Sequence, residues 1–184
     1  MIFKNLLFEN KLQEDVKMQE VRFLIERVEK DEKDVSQGAW FSLPLNHEEV
    51  AEKLDIHSNI EDEEFDVVEA EGIPYDYVCG YCTISEMNEL YDKWMEIPFY
   101  ITSYIELFME HFNGFDDLYE KHTRMWVYMM CYTMEDVAKD FVRRGEFGDI
   151  NSMLIDCIDY EKLGEKISSE NKFVKTDAGM VNIP

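Results

Sequence analysis

Between residues 36 and 100 the chain carries sixteen acidic side chains and only two basic ones, Lys53 and Lys93. A stretch that acidic repels itself on compaction and adds nothing to a core, so any fold formed here must hold its carboxylates outward. The imbalance is local. Residues 1–35 carry nine acids and seven bases, and residues 101–184 carry sixteen acids and nine bases, in a chain of 184 residues with net charge −23. Chains that stay unfolded combine high net charge with few aromatics. Here 46% of residues are hydrophobic and 14% aromatic, which is core material enough for folding. A direct grip on nucleic acid needs a basic footprint, and so does docking on an anionic membrane. The charge argues against both. No apolar run approaches the roughly eighteen residues of a spanning helix. The apolar start Met1–Phe8 is broken by Lys4 and Asn5, with no cleavage pattern after it. Four cysteines fit reduced thiols, and the expected location is the cytoplasm.

The pattern predicts an α+β fold in three small blocks after an N-terminal arm. The arm is 1–17, with Met18 an alternative start. The first block, 18–75, is a β-β-α-β unit. Val21–Ile25 and Ala39–Leu43 read as strands, separated by a charged loop Glu26–Gln37 and stopped at Pro44. Asn46 caps a short helix through Val50, Ala51 and Leu54, with Glu49 in the capping-box position. Phe65–Ala70 is the third strand. The second block, 76–123, is helical. Thr83 and Glu86 form a capping box, and Met87, Leu90, Tyr91 and Trp94 repeat at i, i+3, i+4, i+7. Glu86, Glu89, Asp92 and Glu96 share the opposite face, each step rising about 4.5–6 Å along the axis. Pro98 breaks this helix. A second runs through Ile101, Tyr104, Ile105, Phe108 and Phe112, with Glu106 and Glu110 outward, and Phe115–His122 is a third. The last block, 124–184, opens with a strand Trp126–Cys131. Thr133 and Asp136 cap a helix ending near Gly145, a further helix covers about Ile150–Ser168, and Phe173–Thr176 with Met180–Ile183 form a closing hairpin.

Catalytic chemistry is sparse. Cys79-Gly80-Tyr81-Cys82 has the spacing of a thioredoxin-type site, but its flanks lack that sheet and the acidic field raises a thiol pKa. A redox pair, a zinc site shared with Cys131 or Cys157, and ordinary half-buried cysteines are the three readings, the last being the plainest. His47, His57, His111 and His122 make no metal spacing, Glu61–Glu64 lacks the glycine of a calcium loop, and no phosphate-cradling loop or nucleophile elbow occurs. The expectation is no catalytic set, no cofactor, no metal and no enzyme.

Several segments resemble one family in order and spacing. They are Gly38-Ala39-Trp40-Phe41 before Pro44, Glu48-Glu49-Val50 with Lys53-Leu54, Thr83 to Leu90, His111-Phe112, Met134 to Ala138, and Ile158-Asp159-Tyr160-Glu161 with Gly164. From about Val21 onward the chain is similar to the ArdA antirestriction proteins of plasmids, conjugative transposons and phages. Departures are the arm, the loop Glu26–Gln37, and Cys157 and Leu163 where aromatics are usual. The resemblance implies an elongated chain of three domains that mimics bent B-form DNA and occupies the DNA groove of type I restriction-modification enzymes, protecting incoming mobile DNA. It implies a methyltransferase core as partner and a homodimer. The phosphate-mimicking carboxylates would be Glu61, Asp62, Glu63, Glu64, Asp66, Glu69, Glu71, Asp76, Glu86, Glu89, Asp92, Glu96, Glu106 and Glu110. The antirestriction motif and dimer seam would comprise Leu154, Ile155, Ile158, Asp159, Tyr160, Glu161, Leu163 and Gly164. At one charge per roughly 1.7 Å of duplex, twice the net charge of −23 matches about 80 Å of DNA. The alternative is an acidic binding module for some other basic DNA-binding protein.

Overall fold

The computed structural model describes residues 20–28, 38–57, 60, 63–78 and 81–184. The arm 1–17, most of the charged loop, Glu61, Asp62 and Cys79 lie outside the described residues. The fold is α+β, as the pattern predicts. Contacts group the chain into two compact units, Met1–Met95 and Glu96–Pro184. The helical segment that stands apart in the sequence is thus shared between them.

In the first unit, β1 (Arg22–Arg27), β2 (Gly38–Ser42), β3 (Phe65–Glu71) and the short β4 (Tyr81–Cys82) form an antiparallel sheet in the order β2-β1-β3-β4. Phe23 lies opposite Phe41 on one side and Ala70 on the other, and a bulge between Leu24 and Ile25 shifts the register with β3. Period-two alternation sends Phe23, Ile25, Phe65 and Val67 to the buried face. Helix α1 (His47–Lys53) adds Val50, and α2 (Ile84–Glu96) adds Ile84, Met87 and Trp94. Strand β4 is absent from the sequence reading, because two residues carry no periodicity.

The second unit begins with short helices α3 (Phe99–Thr102), α4 (Ile105–Met109) and α5 (Phe115–Lys121), whose core residues are Ile101, Ile105, Phe108 and Leu118. The single helix expected through Ile101–Phe112 is therefore two. Thr102 turns its hydroxyl back to the Phe99 carbonyl at 3.3 Å, and Tyr104 adopts a non-helical cap. Strand β5 (Trp126–Met129) follows, then α6 (Met134–Arg144), α7 (Ser152–Ile155), α8 (Tyr160–Glu170), β6 (Lys172–Thr176) and β7 (Gly179–Ile183). The three strands are antiparallel in the order β5-β7-β6. The helix expected over Ile150–Ser168 is also split. Asn151 accepts from the Met153 amide and Asp159 from the Lys162 amide, so each caps a separate helix.

Gly164 sets how closely α6 and α8 pack. A Cβ at this position would stand 2.6 Å from the Met134 carbonyl oxygen and 3.1 Å from the Glu135 nitrogen, both backbone atoms. Gly164→Ala is expected to cost about 1–3 kcal/mol as overpacking, measured by thermal denaturation. A variant that melts with the native protein would show that the two helices separate freely.

Candidate acidic interaction surface

The exposed carboxylates of the first unit sit on two kinds of support. Strand β3 and its approach present Glu64, Glu69 and Glu71 to solvent, with Asp66 half-buried, and a 3-10 turn at Tyr75–Tyr77 presents Asp76. Helix α2 presents Glu86, Glu89 and Asp92 on the face opposite buried Met87 and Trp94. In the second unit Glu96, Glu106 and Glu110 are exposed.

Local partners divide these groups. Each of the four cations described in the first unit meets a carboxylate. Arg22 pairs with Glu71, Arg27 with Glu63 at 3.6 Å, Lys53 with Glu49 at 2.7 Å and Lys93 with Glu89 at 2.9 Å. Glu96 accepts a hydrogen bond from Tyr119. Glu64, Asp66, Glu69, Asp76, Asp92, Glu106 and Glu110 make no hydrogen bond or ion pair among the described residues. The unpaired carboxylates therefore spread over β3, the turn after it, α2 and α4.

Glu86 has a second duty. It accepts from the Thr83 amide at 2.9 Å and the Thr83 hydroxyl at 3.0 Å, while its own amide donates to that hydroxyl at 3.3 Å. The backbone hydrogen bond, then the hydroxyl, holds its carboxyl below the usual range. The corresponding arrangement at Asn46 is only half formed. Asn46 accepts from the Glu48 and Glu49 amides at 2.9 and 3.1 Å, but the Glu49 carboxylate turns to Lys53 instead of back to the cap. Sequence reasoning passed over Glu48 and Glu52 of α1, both exposed and both beyond the acidic turn it concentrated on.

The motif residues in the second unit do not share one surface. Leu154 is exposed, at 57%, and so is Met153, which precedes the motif, at 80%. Ile155 and Ile158 are half-buried. Asp159 caps α8 and pairs with Lys162 at 2.8 Å, which lowers its carboxyl pKa. Glu161 is exposed. Tyr160 and Leu163 pack on the core of Cys131, Val137, Ala138, Ile167 and Met180, and Gly164 is buried against α6. The sequence gives no sign of Asp140, buried at 4% exposure. Arg143 pairs with its Oδ1, and Arg144 Nε lies 2.6 Å from Oδ2 without the alignment of a hydrogen bond. Arg144 also lies over the Trp126 and Tyr128 rings, at 4.9 and 5.5 Å.

Among the described residues, no group of three or more His, Cys, Asp or Glu side chains is placed to hold a metal ion. Cys82, Cys131 and Cys157 form no disulfide among the described residues. Burial first, then Asp140 and Asp136, raises the pKa of Cys131, the opposite of an activated thiolate. No described helix is long and apolar enough to cross a membrane.

The chain is thus an acidic α+β protein whose exposed carboxylates stand on strand, turn and helix supports. Residues 33–182 match the family model described as Antirestriction protein (ArdA), and the chain belongs to that family. No curated protein matches it. Membership carries an antirestriction function, exerted as inhibition of restriction enzymes.

The lowered pKa of Glu86 fixes the sign of its pH dependence. Its contribution is present above the ordinary carboxylate pKa and is lost as pH falls through the lowered value. Glu86→Gln is expected to melt below the native protein at neutral pH and to converge with it in acid. A gap that persists undiminished in acid would assign Glu86 a packing role instead.

Proposed function

We propose that this chain inhibits type I restriction-modification enzymes by DNA mimicry, its exposed carboxylates taking the place of backbone phosphates in the DNA groove of the methyltransferase core. The observation that supports this most is the spread of unpaired carboxylates over separate elements, beside cations that are already matched. A basic groove built for phosphates then meets negative charge with little competing positive charge. Such complementarity raises association rate and specificity. Inhibition of this kind protects incoming mobile DNA in the cytoplasm. The inhibitor binds no nucleic acid itself. We propose further that it acts as a homodimer, paired through the least acidic third of the chain. Exposed Met153 and Leu154, beside half-buried Ile155 and Ile158, supply an apolar seam there.

Binding carried by a field is insensitive to single changes. Exposed charge pairs are worth about 0–1 kcal/mol each. Single substitutions of Asp92, Glu106 or Glu110 are expected to shift inhibition by a few-fold at most. Reversing Glu89, Asp92, Glu106 and Glu110 together to Lys is expected to weaken it about 100-fold, four losses of about 0.7 kcal/mol each. Glu86 is left out because its loss would fray α2. The readout is displacement by duplex DNA from a complex with the methyltransferase core. Binding that DNA fails to displace would favour an acidic module for another basic protein. One single substitution that abolished inhibition in a folded protein would sink the distributed-charge account.

Pairing is tested separately. Met153→Glu with Leu154→Glu is expected to give a folded monomer by light scattering and circular dichroism. A folded variant that stays dimeric would place the seam elsewhere.

A further inference from the structure

Two hydrogen bonds tie the side chain of Asn88 to the backbone of Leu45. The Leu45 amide donates to Asn88 Oδ1 at 2.6 Å, and Asn88 Nδ2 donates to the Leu45 carbonyl at 3.0 Å. An amide side chain here forms one rung of a β-ladder with a segment 43 residues away. Leu45 is 5% exposed and immediately precedes Asn46, the cap of α1. Asn88 lies in the second turn of α2. The clamp therefore joins the start of one acidic helix to the flank of another. His47 of α1 and Ser85, Asn88, Glu89 and Asp92 of α2 line a single open groove beside it.

We propose that Asn88 is a positioning residue of the acidic surface. It holds the carboxylates of α1, Glu48 and Glu52, at one spacing from Glu89 and Asp92 of α2, so that a basic DNA-binding cleft meets both rows already ordered. The inference rests on the mimicry reading and goes beyond it, because it assigns part of the affinity to a neutral side chain. Preordering matters for charges on two separate elements. If the helices shift against each other, the partner must spend binding free energy on holding them in register. The clamp also needs a donor and an acceptor on one short side chain, which Asn supplies and an ionised Asp does not.

That difference yields a test in which charge and position oppose each other. Asn88→Asp adds a negative charge to the groove and puts a carboxylate oxygen where Nδ2 donated to the Leu45 carbonyl. The two oxygens repel, which pushes the side chain off Leu45 and frees its amide. Ser85→Asp adds a charge to the same groove, close to the start of α2 where negative charge is favourable, and leaves the clamp intact. Inhibition of a type I methyltransferase core is measured by competition with duplex DNA, well below the melting temperature of every variant. Hydrogen exchange at the Leu45 amide reports the clamp. Ser85→Asp is expected to inhibit as well as the native protein or better. Asn88→Asp is expected to inhibit about ten-fold less well than Ser85→Asp, with an unchanged circular dichroism spectrum and faster Leu45 exchange. Asn88→Gln keeps donor and acceptor with one extra methylene and is expected to recover part of the loss. If Asn88→Asp matches Ser85→Asp while its Leu45 amide exchanges freely, the positioning role is wrong and charge count alone governs. If duplex DNA does not displace the native protein, the mimicry reading fails and this inference fails with it.

Discussion

Mutual repulsion among carboxylates is the constraint under which this protein folds. Coulomb repulsion acts over roughly a Debye length, about 8–10 Å in physiological salt. The interactions that resist it act at contact. Phe23, Ile25, Phe65 and Val67 on one sheet face, with Val50, Ile84 and Met87 from two helices, form the core on which the first unit's acidic elements rest. Its cations are spent on local pairs such as Lys53 with Glu49 and Lys93 with Glu89. These pairs span one helical turn and do little to offset the wider field, so most of the acidic surface stays negative.

Neutral and capping groups do much of the positioning. Thr83 and Glu86 start α2, Asn46 starts α1, and Asn88 joins the two through Leu45. Each satisfies a backbone group that a helix end or loop would otherwise leave open. An acidic helix whose end frays presents its charges over a wide range of positions, which weakens any match to a fixed groove. In the proposed mimicry, the polar residues between the carboxylates bear on function through geometry.

The second unit shows the same economy in a different form. The segment that resembles an antirestriction motif carries residues of opposite duty. Tyr160, Leu163 and Gly164 build the contact between α6 and α8, whereas Leu154 stands in solvent. A change in the motif can thus act through stability or through a surface, and the residue decides which. Asp140 takes its charge into the interior at the end of α6, where Arg143 and Arg144 balance it and Arg144 covers the rings of Trp126 and Tyr128.

Features that depend on near neighbours in the chain are legible in the order of its residues. The capping boxes at Thr83–Glu86 and Thr133–Asp136, the apolar stripe ending at Trp94, the hairpin at Asp177–Gly179 and the outward face of Glu89 and Asp92 follow from spacings of two to four residues. The charge imbalance follows from counting. Features that distant residues impose emerge only when the chain is folded. Tyr104 takes a non-helical conformation at the start of α4, where periodicity alone would continue one helix. Asn151 and Asp159 cap where apolar spacing runs on, because a side chain that satisfies a backbone amide outweighs a continued stripe. Strand β4, buried Asp140 and the Asn88 clamp depend on partners that lie far away in the chain or show no period, and no local pattern encodes such a partner. Gly164 is the clearest case. In the chain it is one helical glycine, and only the Met134 carbonyl 2.6 Å from its missing Cβ explains why a side chain does not fit.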